Sequence, residues 1–304
     1  MFDKLYLIND HSKIETTHSE SLKYLSGNSE LLKRVANYFW AYHHIGSLIP
    51  QTVENFGSGH YFPYSESYYE LEASYEFALQ GFYRHSLIAL RLVLELGLLG
   101  VYFSVDDIEH IEVRPWITSR EPTPRRKEIF KKLLQLPNFQ FFDKKFHLQD
   151  RVLSTFDKLD GHTHTRGYKF SSTKLLNHAN FNRFEPKSLQ RYCDLMFSVV
   201  NDIIVVSLLK YPLGMQDLPL DEKYGMNGPV GGFLQDYEVG FIKSLLEPNE
   251  RDVLQELSDN DIKVQQTIDF MNNLPDLTEE QWKAQFEEWN KFMKDHDGSN
   301  TNVG

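Results

Sequence analysis

Apolar residues recur at helical spacing along most of this chain, and in two stretches they occupy every face. The first clear stripe follows Asn28. Leu31, Leu32, Val35, Phe39 and Tyr42 repeat at intervals of three and four, which predicts a helix over 29–45 with Asn28 as its N-cap. Residues 50–63, bounded by two prolines and holding Gly57 and Gly59, read as a loop. No proline interrupts the chain from Ser67 to Phe103. After Ser86 the apolar side chains fall on all sides: Leu87, Ile88, Leu90, Leu92, Val93, Leu94 and Leu96. A helix that is apolar all round is buried all round. Residues 66–103 are therefore expected as a long core helix, kinked or interrupted at Gly81 and Gly97.

A second apolar run opens at Pro186 and continues through Leu195, Val199, Ile203, Val206 and Leu209 to Pro212. Its β-branched residues leave a strand as the alternative over 199–209, but its length of about 20 residues favours helix. Between the two runs, 104–124 reads as an irregular connector. A helix is expected from Thr123-Pro124 to Leu136, and another over 146–160 ending near Gly161. Residues 212–232 hold five glycines and three prolines and mark a boundary. Beyond it, Thr278-Glu279-Glu280-Gln281 reads as a capping box. Trp282, Phe286, Trp289 and Met293 then share one face of a helix, and the polar tail after Asp297 reads as disordered. The expected fold is all-α: an antiparallel helical bundle with an additional small helical C-terminal module. Its divisions are an N-terminal helical extension (1–60), a helical core (61–215), and a Gly/Pro linker with an acidic helical module (216–304).

Composition agrees with a folded chain, at 41% apolar and 25% charged residues. The single cysteine, Cys193, sits inside an apolar run, which makes it a core thiol and excludes an internal disulfide. The start of the chain lacks the pattern of a signal peptide. The most apolar window, Leu87 to Phe103, is 17 residues long and carries Arg91 and Glu95 at its centre. That is short and polar for a membrane span, so a soluble, cytoplasmic protein with no membrane partner is expected. The net charge of −11 is unevenly spread: from Gln216 onward there are 19 acidic and 7 basic residues. The chain before Gln216 is nearly neutral. Within it, 110–151 is the most basic window, with ten basic and five acidic side chains. It is either a solvated face or an edge that contacts phosphate.

Two clusters could carry chemistry. Gln80, Arg84, Arg91 and Glu95 fall on roughly one side of the first apolar helix. Charges in so apolar a helix need partners. The stripe is either a satisfied internal ion pair or the lining of a cleft that holds a ligand or RNA. The second cluster is Asp160-Gly161-His162-Thr163-His164-Thr165-Arg166-Gly167. A histidine titrating near neutrality beside an arginine suits acid–base cleavage of RNA, with His162, His164 and Arg166 as the candidate catalytic residues. The alternative is a structural role at a helix end. Two histidines at i and i+2 lack further ligands at metal-binding spacing, so no metal and no cofactor is implied. No phosphate-binding glycine loop and no nucleophile elbow occurs. His43-His44 fits a helix surface.

Residues 78–95, with Gly81-Phe82-Tyr83 followed by Leu90-Arg91 and Glu95, resemble the first long helix of the HEPN-like helical superfamily. Residues 156–167 resemble that superfamily's segment ending in His-Thr-Arg-Gly. The resemblance spans roughly 65–210. It implies an antiparallel helical bundle, frequent homodimerisation, and roles in phage defence, toxin–antitoxin systems or RNA cleavage. Active ribonucleases of this kind carry an arginine, four to six residues, then a histidine. Here Arg151 precedes His162 by eleven positions and Arg166 follows both histidines. Two functional expectations result. One is an RNA-directed effector using His162 or His164 with Arg166, and with Arg84, Arg91 and Glu95 as binding residues. The other is a non-catalytic, homo-oligomeric interaction module whose C-terminal helix binds a protein partner through Trp282, Phe286 and Trp289.

Overall fold

The computed structural model describes residues 11–50, 52, 55, 59–105, 108–164, 166–176, 182–228 and 231–297. The tail after 297 and part of the predicted 50–63 loop lie outside them. Among the described residues the chain forms fifteen α-helices and no strand. It is an all-α bundle, as the periodicity predicts.

Helices α1 (His11–Ser26) and α2 (Ser29–Ile45) are joined at Asn28, whose side chain accepts a hydrogen bond from the Leu31 backbone at 3.3 Å. That is the predicted N-cap. The expected long helix over 66–103 is two helices, α3 (Tyr61–Leu79) and α4 (Tyr83–Phe103). The interruption falls at Gly81, whose φ of +79° suits glycine and turns the chain back on itself. A helical hairpin results, with α4 at the centre of the bundle. Gly97 does not break α4. It lets Ile203 and the Tyr42 hydroxyl approach the helix backbone closely.

Short helices α5 (Val113–Ile117), α6 (Arg126–Leu133) and α7 (Pro137–Phe146) lead into α8 (Leu148–Thr163). The α8 helix runs on past Gly161, where sequence predicts a stop. Gly161 is there for a different reason: a Cβ at that position would run into the Phe170 ring, which packs across the helix. After α9 (Ser172–Leu176), the helix α10 (Pro186–Lys210) begins and ends at the predicted prolines. Both α4 and α10 are long and apolar enough to cross a membrane by length and composition. In this fold α4, α8, α2 and α10 cover one another, and the most apolar windows of α4 and α10 are 67% and 83% buried. Cys193 lies in this core, where burial pushes its thiol up to about 12.

One apolar core runs from Leu25 to Leu254 and crosses both expected boundaries. In the N-terminal part, Val35, Ala41, Tyr42 and Ile45 of α2 belong to it. In the C-terminal part, α12 (Asp236–Leu245) contributes Val239 and Ile242, and α13 (Pro248–Asp259) contributes Val253 and Leu254. Two buried carboxylates tie these acidic helices down. Glu238 pairs with His44 of α2. Glu250 pairs with Arg151, which also holds Asp202 of α10 at 2.8 Å. A smaller cluster of Leu218, Leu220 and Met271 joins α11 (Leu220–Tyr224) to α14 (Ile262–Asn273). The last helix, α15 (Glu279–Asp297), opens with the predicted box between Thr278 and Gln281 and belongs to neither cluster.

Gly81→Ala places a side chain at positive φ, with its Cβ within 2.9 Å of Thr17 and 3.1 Å of the Arg183 backbone. Urea denaturation is expected to show a loss of about 1–3 kcal/mol. Gly240→Ala, where a Cβ meets nothing, is the control with little change.

Candidate functional site

The polar stripe of α4 and the C-terminal end of α8 meet in the core. Arg91 and Glu95 lie one turn apart, and the Arg91 Nη1 donates to Glu95 Oε2 at 2.8 Å. From the facing helix comes Asp160, whose side chain is only 7% exposed. Arg91 Nε donates to its Oδ1 at 2.8 Å, and Arg126 of α6 pairs with its Oδ2 at 2.7 Å. The Arg126 guanidinium also lies 4.0 Å from the centre of the Phe156 ring, one turn before Asp160. Burial pushes the Asp160 carboxyl up. Hydrogen bonds and charge from Arg126 and Arg91 more than offset this and leave it below the ordinary carboxylate value. Two arginines and two carboxylates thus form one neutral, mutually satisfied network that ties α4, α6 and α8 together.

The rest of the stripe is structural in the same sense. Arg84 Nε donates to the backbone carbonyl of His162 at 3.1 Å. Gln80 lies in the turn before α4, and its carbonyl accepts from Asn182 at 3.0 Å.

The His-Thr-His-Thr-Arg segment does not present its side chains together. His162 is fully buried in the last turn of α8. Its Nδ1 lies 3.3 Å from the Phe170 carbonyl and its ring meets the Phe170 ring edge-on, while Nε2 finds no partner among the described residues. Burial, with the charges of Arg191 and Arg84, pulls its pKa down to about 4, against a smaller upward push from the Phe170 carbonyl. It is therefore neutral near pH 7. His164 and Arg166 are exposed and contribute through their backbones, where the His164 N–H donates to the Asp160 carbonyl and that of Arg166 to the Gly161 carbonyl. Thr165 lies outside the described residues. Of the predicted site residues, the fold thus joins Arg91 with Glu95 and Arg84 with the His162 backbone. It leaves His164 and Arg166 apart from both.

Three of the ten basic side chains in 110–151 pair with carboxylates of the chain: Arg126 with buried Asp160, Lys132 with exposed Glu112, and Arg151 with buried Asp202 and Glu250. Among the described residues no three His, Cys, Asp or Glu side chains gather as a metal-binding group. His44, expected on a helix surface, is half-buried, stacked on Trp40 and paired with Glu238.

Sequence reasoning missed Arg126 as the second partner of Asp160, because the two are 34 positions apart. It also missed the Arg151–Asp202–Glu250 cluster. Asp202 sits in an apolar run just as Arg91 does, and that same signal could have flagged it. Burial raises its carboxyl to about 6, even with Arg151 and Thr155 pulling it down.

One surface stands apart from this closed network. Trp282, Phe286, Trp289, Phe292 and Met293 of α15 are 38–59% exposed, although all are large and apolar. Comparison of the chain with protein-family models, curated proteins and solved structures finds no match.

Removing Arg91 strips one of two partners from a buried carboxylate and leaves Glu95 without its pair. Arg91→Ala is expected to cost about 3 kcal/mol in urea denaturation. His164→Ala, at an exposed position, is expected to stay within about 0.5 kcal/mol of wild type. Equal small effects would contradict a structural role for Arg91.

The depressed pKa of His162 sets a pH dependence. The fold prefers the neutral ring, so its contribution to stability is present above about 6.5 and is lost as pH falls towards about 4. Thermal melts between these pH values should show a steeper loss for wild type than for His162→Gln. Parallel curves would contradict the assignment.

Proposed function

We propose that this chain is a HEPN-like helical scaffold that acts by binding protein through the aromatic face of α15, and does not itself cleave RNA. The observation that carries this reading is the exposed stripe from Trp282 to Met293. Large apolar side chains contiguous on one helix mark an interaction surface. Tryptophan and other aromatics are the residues that anchor such interfaces. The helix projects from the bundle on a few polar hooks: Gln285 bonds the Met226 N–H at 2.8 Å and the Tyr224 carbonyl at 3.1 Å. The Trp282 ring also packs near Gly225, and Phe286, Trp289, Phe292 and Met293 beyond it stay 43–59% exposed.

RNA cleavage asks for a titratable histidine within reach of a phosphate. His162 is enclosed and held neutral, and Arg84 and Arg91 are already bonded to the His162 carbonyl, Asp160 and Glu95. This favours the interaction reading.

The test is the mass of the complexes that the full-length protein forms in extract of its own cells. Wild type is expected in species well above 35.7 kDa, and Phe286→Glu/Trp289→Glu in smaller ones with unchanged circular dichroism. Identical profiles would overturn the proposal. A second arm incubates purified protein with total RNA. No cleavage is expected, and cleavage abolished by His164→Ala would restore the RNA-directed reading.

A further inference from the structure

We propose that the partner of α15 is an apolar groove on a second copy of this same chain, so that two copies exchange their last helices reciprocally. This rests on the reading of α15 as a binding helix and names what it binds.

The groove lies where the core meets α14. It encloses about 700 Å³, and its apolar walls include Leu136, Leu209, Leu213, Leu257 and Ile262. That is the size of site that takes a few large side chains. Ile262 at its edge is 74% exposed, an unusual state for isoleucine at a groove. None of its lining residues comes from α15, because Gln285 and the Lys223–Asp276 pair hold the start of that helix against the 222–227 segment. Among the described residues, an apolar groove and a largely exposed apolar helix thus do not meet each other.

Charge selects how they pair. The α15 helix carries six carboxylates against three lysines, within a C-terminal segment holding 19 acidic and 7 basic residues. Two such helices packed on each other would bring like charges together, which disfavours direct pairing. The groove is of the opposite character. Lys210 and Lys263 line it. Asp261 at its edge caps α14, its Oδ1 accepting from the Lys263 and Val264 backbones, so the lining carries two lysines against one carboxylate. An acidic helix with aromatic anchors matches an apolar groove with a basic rim. Reciprocal exchange also closes the assembly at two copies, whereas one-way docking would continue into a filament.

The experiment measures the mass of purified full-length protein by light scattering at concentrations of roughly 1 μM and above. Wild type is expected at twice 35.7 kDa. Trp289→Glu, which spoils the helix, and Ile262→Glu, which spoils the groove, are each expected as folded monomers, since both positions are exposed. Mixing these two monomers should restore a dimer, because one brings an intact groove and the other an intact helix. A dimer sensitive to Trp289→Glu but not to Ile262→Glu would mean α15 pairing with α15 and overturns the proposal. So would a mixture that stays monomeric, or a dimer that survives both changes. A monomeric wild type whose complexes in extract still depend on Trp289 overturns this inference alone and leaves the proposed function standing.

Discussion

The bundle depends on neutralising the charges that its most apolar helix carries. The α4 helix brings Arg91 and Glu95 to the partly buried seam with α8, where leaving a charge unpaired costs about as much as one or two buried leucines contribute. Asp160 makes that placement possible. It takes one arginine from α4 and one from α6, so its two oxygens fix the spacing of three helices at once. A second junction repeats the device lower in the fold, where Arg151 of α8 holds Asp202 of α10 and Glu250 of α13. Dispersion and burial would tolerate several ways of sliding these helices past each other. The ion pairs tolerate one.

The same placement encloses His162. The segment after Asp160 inherits its position from a structural pair, and α8 continues through Gly161 so that Phe170 can fold across it. His162 is then in the interior with its ring against Phe170, while His164 and Arg166 emerge on the surface where α8 ends. Residues adjacent in sequence are separated by the helix end itself. A cluster contiguous along the chain is thus divided between the interior and the surface.

Local signals were legible in the sequence and long-range pairing was not. Asn28, Pro186, Pro212 and the Thr278–Gln281 box act within a turn of their own positions, and each marks the helix end it predicts. Gly81 was legible as a weak point, though not that the break would become a reversal. Arg91 and Glu95 announced a need for partners, but which residue answered could not be read across 69 positions. The acidic C-terminal part was the least legible. Glu238 and Glu250 look like solvent-facing charge in a segment rich in carboxylates, yet both are buried against His44 and Arg151. They carry α12 and α13 into the main core.

The same accounting isolates α15. Helices α2, α4, α8, α10, α12 and α13 all place apolar side chains in the main core, and the acidic α12 and α13 also pair a buried carboxylate there. The described carboxylates of α15, Glu279, Glu280, Glu287 and Glu288, are all exposed. The helix keeps this charge in solvent and its aromatics uncovered. A lone amphipathic helix of this length is marginal in water, and here it is held by a capping box and a glutamine. Covering Trp282, Phe286 and Trp289 would therefore stabilise the helix as well as the contact. In the proposed interaction, binding would be coupled to helical order at this end of the molecule.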